Sequence, residues 1–228
     1  MDALEDDKHH ERQRFQLERL ILFTDAVFAI AITLLIIEIK VPFADKKLVT
    51  GIGLIVTNEI LKEEFLHLTP EWIGFFISFV VIAVYWNAHH RMFGFVEAYD
   101  VRLVTLNFLF LVTIIIMPFT TAFYTKWTNF NFPFGLYCFN VSLAGFSQVW
   151  LWLHLSNQKK KLSKRITPII RKTMLIRSLV APSIFLIAYS LSFHYFNLAR
   201  TIFLIIPFIM GIISWYFKRK GFNAKDFL

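Results

Sequence analysis

Uncharged apolar stretches of similar length recur along the chain, each closed off by charged residues. Between Arg102 and Lys126 lie 23 residues without a formal charge, between Arg177 and Arg200 22, and between Lys126 and Lys159 32. The interval from Glu71 to Arg91 holds 19 and ends in His89-His90, and that from Arg200 to Lys218 holds 17. The first stretch, Leu20 to Ile37, runs 18 residues with Asp25 inside it. At ~1.5 Å per helical residue, each can cover about 30 Å of hydrocarbon. Six membrane spans are therefore expected, at about 18–40, 71–94, 102–125, 133–156, 175–197 and 199–217, between a tail at 1–17 and a basic tail at 218–228. All should be helices: in lipid a lone segment satisfies its backbone only as a helix, and these runs lack the alternation of a ~10-residue barrel strand. Pro118, Pro182 and Pro207 fall inside spans, where neighbouring helices accommodate a kink.

Composition supports an all-α integral membrane fold. Of 228 residues 57% are apolar and 27 are Phe, with a mean hydropathy of +0.57. Soluble domains average about 45–50% apolar and about 25% charged, so a soluble globular enzyme is excluded. The lone Cys138 closes no intrachain disulfide.

The net charge of +8 is less telling than its placement. Six spans put both ends on one side, and that side then holds 18 Lys and Arg residues, including the cluster from Lys159 to Lys172. The other side keeps six: Lys40, Lys46, Lys47, Lys62, Lys126 and Arg200. The positive-inside rule makes the termini cytoplasmic. The basic loop at 159–172, held between two spans, is expected to contact anionic lipid headgroups rather than nucleic acid. Segment 41–70 is the one long outer connection, with a partial surface helix expected from about Thr57 to Leu68. No removable leader is expected, because the first apolar run follows an acidic tail and precedes Glu38 to Pro42.

Polar residues deep within such spans are costly and therefore informative. An unpaired Asp25 carboxylate would cost several kcal/mol, so it must face protein, water or a cation. Arg19 is six positions away, off the i,i+4 geometry, which makes His89, His90 and Arg91 the basic partners expected at its depth. Asp25 then either ties two helices together or takes part in ion passage. On the same helix Ile30, Thr33, Leu34 and Ile37 fall at i, i+3, i+4 and i+7, one stripe. Periodicity alone reads that stripe as helix packing, and the Thr33 hydroxyl as bonded to a carbonyl one turn back. Ala26, Ala29 and Ala31 allow close backbone approach, which predicts an inner, tightly packed first helix with Phe-rich later spans facing lipid. His89 and His90 point about 100° apart on a helix and so do not chelate one metal. The sequence contains no Gly-rich phosphate loop, no Ser-His-Asp order and no histidine boxes, so neither an enzyme nor a cofactor is expected.

The run Arg19-x-x-x-Phe23-Thr24-Asp25, continuing through Thr33, Leu34 and Glu38, resembles the first-helix signature R-x-x-x-F-[ST]-D of the transmembrane protein 175 family, potassium channels of endosomes and lysosomes with prokaryotic homologues. Ser78-Phe79, Trp86-x-x-His89-His90-Arg91, Asn107 and Pro118-Phe119-Thr120-Thr121 are similar to that family too. Thr24 stands where Ser is common and keeps the hydroxyl. With one copy of the signature, the chain resembles a prokaryotic single-unit member residing in the plasma membrane. The resemblance implies a homotetramer whose first helices line a central pore without a TVGYG filter. It implies Ile30 as a hydrophobic gate, Leu34 and Ile37 as bulky pore-lining positions, and Thr33 as a hydroxyl layer where potassium passes. Arg19, Phe23, Thr24 and Asp25, with His89 or His90, would form a polar network holding the pore helices. Passive potassium conduction is then the expected function. The alternatives are a proton-coupled secondary transporter using Asp25 with His89 and His90, and a non-conducting scaffold.

Overall fold

The computed structural model describes residues 2–41, 54–157, 159, 162, 163 and 166–220. Among these, the regular elements are all helical. Helix α1 spans Asp2–Ile37, α2 Leu54–His67, α3 Thr69–Phe93, α4 Val101–Lys126, α5 Asn131–Leu155 and α6 Pro168–Ser192. A short α7, Phe196–Ala199, and a 3-10 turn at Ile202–Ile205 lead into α8, Ile206–Arg219. Glu11–Ile37, α3, α4, α6 and the segment Phe196–Arg219 are each long and apolar enough to cross a membrane. Helix α5, 25 residues long, lies among them and carries Asn140, Ser142, Gln148 and His154. Helix α2 begins three residues before the expected Thr57. Lys160, Lys161, Lys164 and Arg165 of the basic 159–172 loop and the last eight residues lie outside the described set.

Helix starts follow local chemistry. The Asp100 side chain, in extended backbone, accepts from the Leu103 amide at 2.7 Å and so caps α4. Thr167 does the same for α6, accepting from Ile170 at 3.3 Å ahead of Pro168, whose missing N–H costs nothing in the first turn. Pro118 and Pro182 remain inside α4 and α6; Ser142 of α5 donates to the Pro182 carbonyl at 3.0 Å.

The centre of the protomer is α4 and α5, packed on one another and on α6, rather than α1. This corrects the expectation of an inner first helix. Ala31 is buried, but Ala26 and Ala29 lie on the exposed side of α1. The Phe residues are likewise split: Phe28, Phe110 and Phe185 are in the core, while Phe76, Phe119 and Phe208 face outward. Close approach of α5 and α6 rests on Gly145, where an added Cβ would stand 2.6 Å from the Pro182 ring. Two apolar clusters stack along the bundle. One, with Phe28, Leu35, Ile114, Met117 and Val141, fills the apical half, toward Ile37, Lys126 and Ser192. The other, with Leu17, Met92, Leu103, Trp152 and Met174, fills the basal half, toward Arg91, Asp100 and Leu155.

Candidate functional site

Between those clusters α1, α3 and α4 each contribute one buried polar side chain: Thr24, His89 and Asn107. They form one directed chain. The Thr24 hydroxyl donates to the Leu20 carbonyl one turn back at 2.8 Å, so its oxygen is left to accept. It accepts from Asn107 Nδ2 at 2.9 Å, which turns Asn107 Oδ1 toward His89 Nε2 at 2.7 Å. His89 must therefore donate from Nε2. Its ring is stacked between Phe93, with centroids 4.2 Å apart, and Phe110 at 5.4 Å, leaving only the edge for polar contact. Three helices are thereby tied at one depth, with each buried polar side chain hydrogen-bonded to the next, which is what burial in a low-dielectric layer requires.

Asp25 stands one residue on and turns toward α3. Its Oδ1 accepts from Trp86 Nε1 at 2.8 Å, and Trp86 in turn stacks on His90 with centroids 5.4 Å apart. This corrects the expected pairing with His89, His90 or Arg91. The indole supplies the donor, His90 acts through its ring face, and His89 belongs to the separate Thr24–Asn107 chain. Arg19 is exposed and lies over the Phe15 ring at 5.9 Å, while Phe23 meets Phe108 at 5.5 Å. The sequence-predicted group thus lies along one stretch of α1 but divides into three sets of contacts.

A further link near the basal end had no sequence signal. His154 of α5 shares Nε2 with both Asp100 oxygens, at 2.9 and 3.0 Å, so the cap of α4 is also bound to the last turn of α5.

The stripe of α1 faces away from all of this. Ile30 is 58% exposed, Leu34 38% and Ile37 68%, and Thr33 is exposed with them. The opposite side, Thr24, Phe28, Ala31 and Leu35, is buried against α3 and α4. Thr33 Oγ1 donates to the Ile30 carbonyl at 2.8 Å, so the outward side of that oxygen carries lone pairs rather than a proton. A hard cation that has shed water seeks oxygen ligands of this kind. Among the described residues no group of three or more His, Cys, Asp or Glu side chains could hold a metal ion.

The family model described as endosomal/lysosomal potassium channel TMEM175 matches residues 19–118, from Arg19 of α1 through α3 to Pro118 of α4. A potassium channel of Chamaesiphon minutus is 31% identical over 180 residues, covering 77% of this chain and 83% of the relative. One of Streptomyces collinus is 39% identical over 104 residues, 46% of this chain and 45% of the relative. An endosomal/lysosomal proton channel TMEM175 of Danio rerio is 26% identical over 207 residues, 86% of this chain and 38% of that longer protein. The crystal structure of the TMEM175 homolog from Chamaesiphon minutus superposes with a TM-score of 0.70 at 27% identity, covering 87% of this chain and 98% of the other. With an all-helical multi-pass membrane fold and a relative matched over most of its length, the chain belongs to the TMEM175 family, which is a family of ion channels and not of enzymes.

Proposed function

We propose that four copies of this chain assemble about a common axis, with α1 of each lining one pore that conducts potassium passively in preference to other cations. The observation that carries this reading is the two-sided character of α1. One face is packed into its own protomer, while Ile30, Thr33, Leu34 and Ile37 are left uncovered on the other. A single stripe is not a channel, but rotation about an axis turns it into rings. Four Ile30 side chains facing each other exclude water when close, and a small outward movement rewets the passage. The ring one turn away offers Thr33 oxygens whose hydroxyl protons are already committed to the Ile30 carbonyls. Selectivity then comes from partial dehydration at a narrow passage together with those oxygens.

In this assembly the networks from Thr24 to His89 and from Asp25 to Trp86 fix the rotation of α1, so that the stripe points to the axis. The subunit spans the membrane six times, between a tail at 1–17 and a basic tail at 218–228, in a prokaryotic plasma membrane with both termini cytoplasmic. The basic 159–172 loop lies against anionic headgroups on that side. No cofactor is required.

The test is flux from potassium-loaded vesicles reconstituted with purified protein. Voltage-driven, unsaturating potassium flux is expected, and Ile30→Asn should raise the leak by wetting the constriction. Saturating, pH-coupled flux would instead establish a transporter, and currents unchanged by Ile30→Asn at equal expression would remove that residue from the gate. Subunit stoichiometry measured in detergent should give four.

A further inference from the structure

Apart from the α1 stripe, the bundle contains a cavity of about 500 Å3 at its apical end, enclosed by α3, α4, α5, α6 and the segment from Asn197 to Phe203. One wall carries hydroxyls in sequence: Thr121 commits its proton to the Met117 carbonyl at 2.8 Å, so its oxygen accepts from Ser78 at 2.8 Å, and the Ser78 oxygen accepts from the Tyr137 hydroxyl at 3.2 Å. Arg200 is the single charged residue among those lining the cavity. Its Nε donates to the Tyr124 hydroxyl at 2.9 Å, and its guanidinium carbon lies 5.4 Å from the centre of the Phe196 ring. No carboxylate pairs with it among the described residues. The two terminal nitrogens, with four N–H donors between them, are thus left for a ligand.

Toward the middle of the bundle the cavity shares Ile77, Phe185 and Phe203 with a crevice of about 390 Å3. There the walls turn to hydrocarbon: Val80 and Val84 of α3 on one side, Ala181 of α6 and Ile206 of α8 on the other. A half-buried cation with hydroxyls around it therefore sits at the end of apolar helices, directly above an apolar slot that runs along them.

We propose that each protomer binds one phospholipid with an anionic headgroup here, its phosphate on the Arg200 guanidinium and an acyl chain in the slot between α3 and α6. The planar fork of Arg is matched to phosphate oxygens and forms charge-assisted bonds that shorten and strengthen away from water. A free phosphate ion would use the cation but not the slot. A cationic ligand would meet only Arg200, and a neutral amphiphile would leave the guanidinium without a counter-charge. The Tyr124 hydroxyl of α4, which accepts from Arg200 and keeps its own proton, supplies a donor for the ester and glycerol oxygens between the two parts.

Native mass spectrometry of the assembled protein tests this, comparing phosphatidylglycerol with phosphatidylcholine of the same chains. The wild type is expected to retain the anionic lipid preferentially. Arg200→Gln should lower that preference about tenfold, the scale of one lost charge-assisted pair. Ala181→Phe, which fills the slot, should lower retention of both lipids. Lipid bound at the basic 159–172 loop is common to all variants and drops out of the comparison. An unchanged preference in Arg200→Gln would overturn the proposal. So would glycerophosphoglycerol, the headgroup without chains, competing as well as the lipid, since that makes the site one for free anions. If Ala181→Phe instead dissociates the assembly while lipid retention holds, the slot belongs to a second copy of the chain and the proposal fails. Should Arg200→Gln not fold, Ala181→Phe and the headgroup competition decide alone.

Discussion

Asn107→Leu is the sharpest probe of how the three helices are held together. The residue is fully buried, and its amide serves two partners at once, His89 on α3 and Thr24 on α1. Leucine keeps the approximate volume and removes both bonds. The His89 Nε2 proton is then left without an acceptor inside a ring of Phe side chains, a penalty of about 1–3 kcal/mol. Thr24 keeps its own bond to Leu20, so it loses only the incoming one; interhelical bonds in membranes average about 0.6 kcal/mol and reach about 1.7. The sum is a loss of about 2–5 kcal/mol. Equilibrium unfolding in mixed micelles, followed by helical circular dichroism, measures it. A double-mutant cycle with Thr24→Val isolates the α1–α4 bond, because the stranded histidine is common to both corners of the cycle that carry Asn107→Leu. Coupling of about 0.6–1.7 kcal/mol is expected. Additivity within about 0.3–0.5 kcal/mol, or an Asn107→Leu protein as stable as wild type, would refute the network as a structural tie.

Other outcomes follow from single contacts. Thr33→Ala removes the outward oxygen and should lower the potassium-to-sodium permeability ratio with assembly intact; an unshifted reversal potential would count against it. Gly145→Ala drives a Cβ to 2.6 Å from the Pro182 ring and should destabilise by about 1–3 kcal/mol, whereas Gly211→Ala, with nothing within 4 Å, should be neutral or slightly stabilising, and unfolding midpoints that reverse this order would contradict the packing. Trp86→Phe preserves the ring over His90 but strips Asp25 of its donor; a loss of about 0.6–1.7 kcal/mol in the same unfolding assay is expected, and no change would show the carboxylate to be satisfied by water.

The helices could be read from the chain because hydrocarbon imposes a length and forbids stray charge, so Arg102 and Lys126 bracket almost the whole of α4. The stripe at 30, 33, 34 and 37 was also legible, since helical periodicity alone sets which residues share a face. Pairing was harder. Asp25 demanded a donor, and the search ran through basic residues, yet the donor is the indole of Trp86, whose one N–H is hidden in an otherwise apolar side chain. His89 was picked out from the residues, and Thr24 and Asn107 only through the family resemblance; joining the three needs the relative rotation of three helices, which no one segment encodes. The link between His154 and Asp100 left no trace in the pattern, because polar residues near helix ends carry no penalty that would mark them. Arg200 was counted as one boundary charge among six; only the fold gives it a cavity.

Helix α1 runs unbroken for 36 residues, about 54 Å at ~1.5 Å per residue, with neither Gly nor Pro along it. That is nearly twice the thickness of a bilayer core. The surplus emerges beyond the membrane as a stiff lever in line with the constriction proposed at Ile30. In the proposed assembly, a pull applied at its watery tip reaches the aperture without a joint to absorb it.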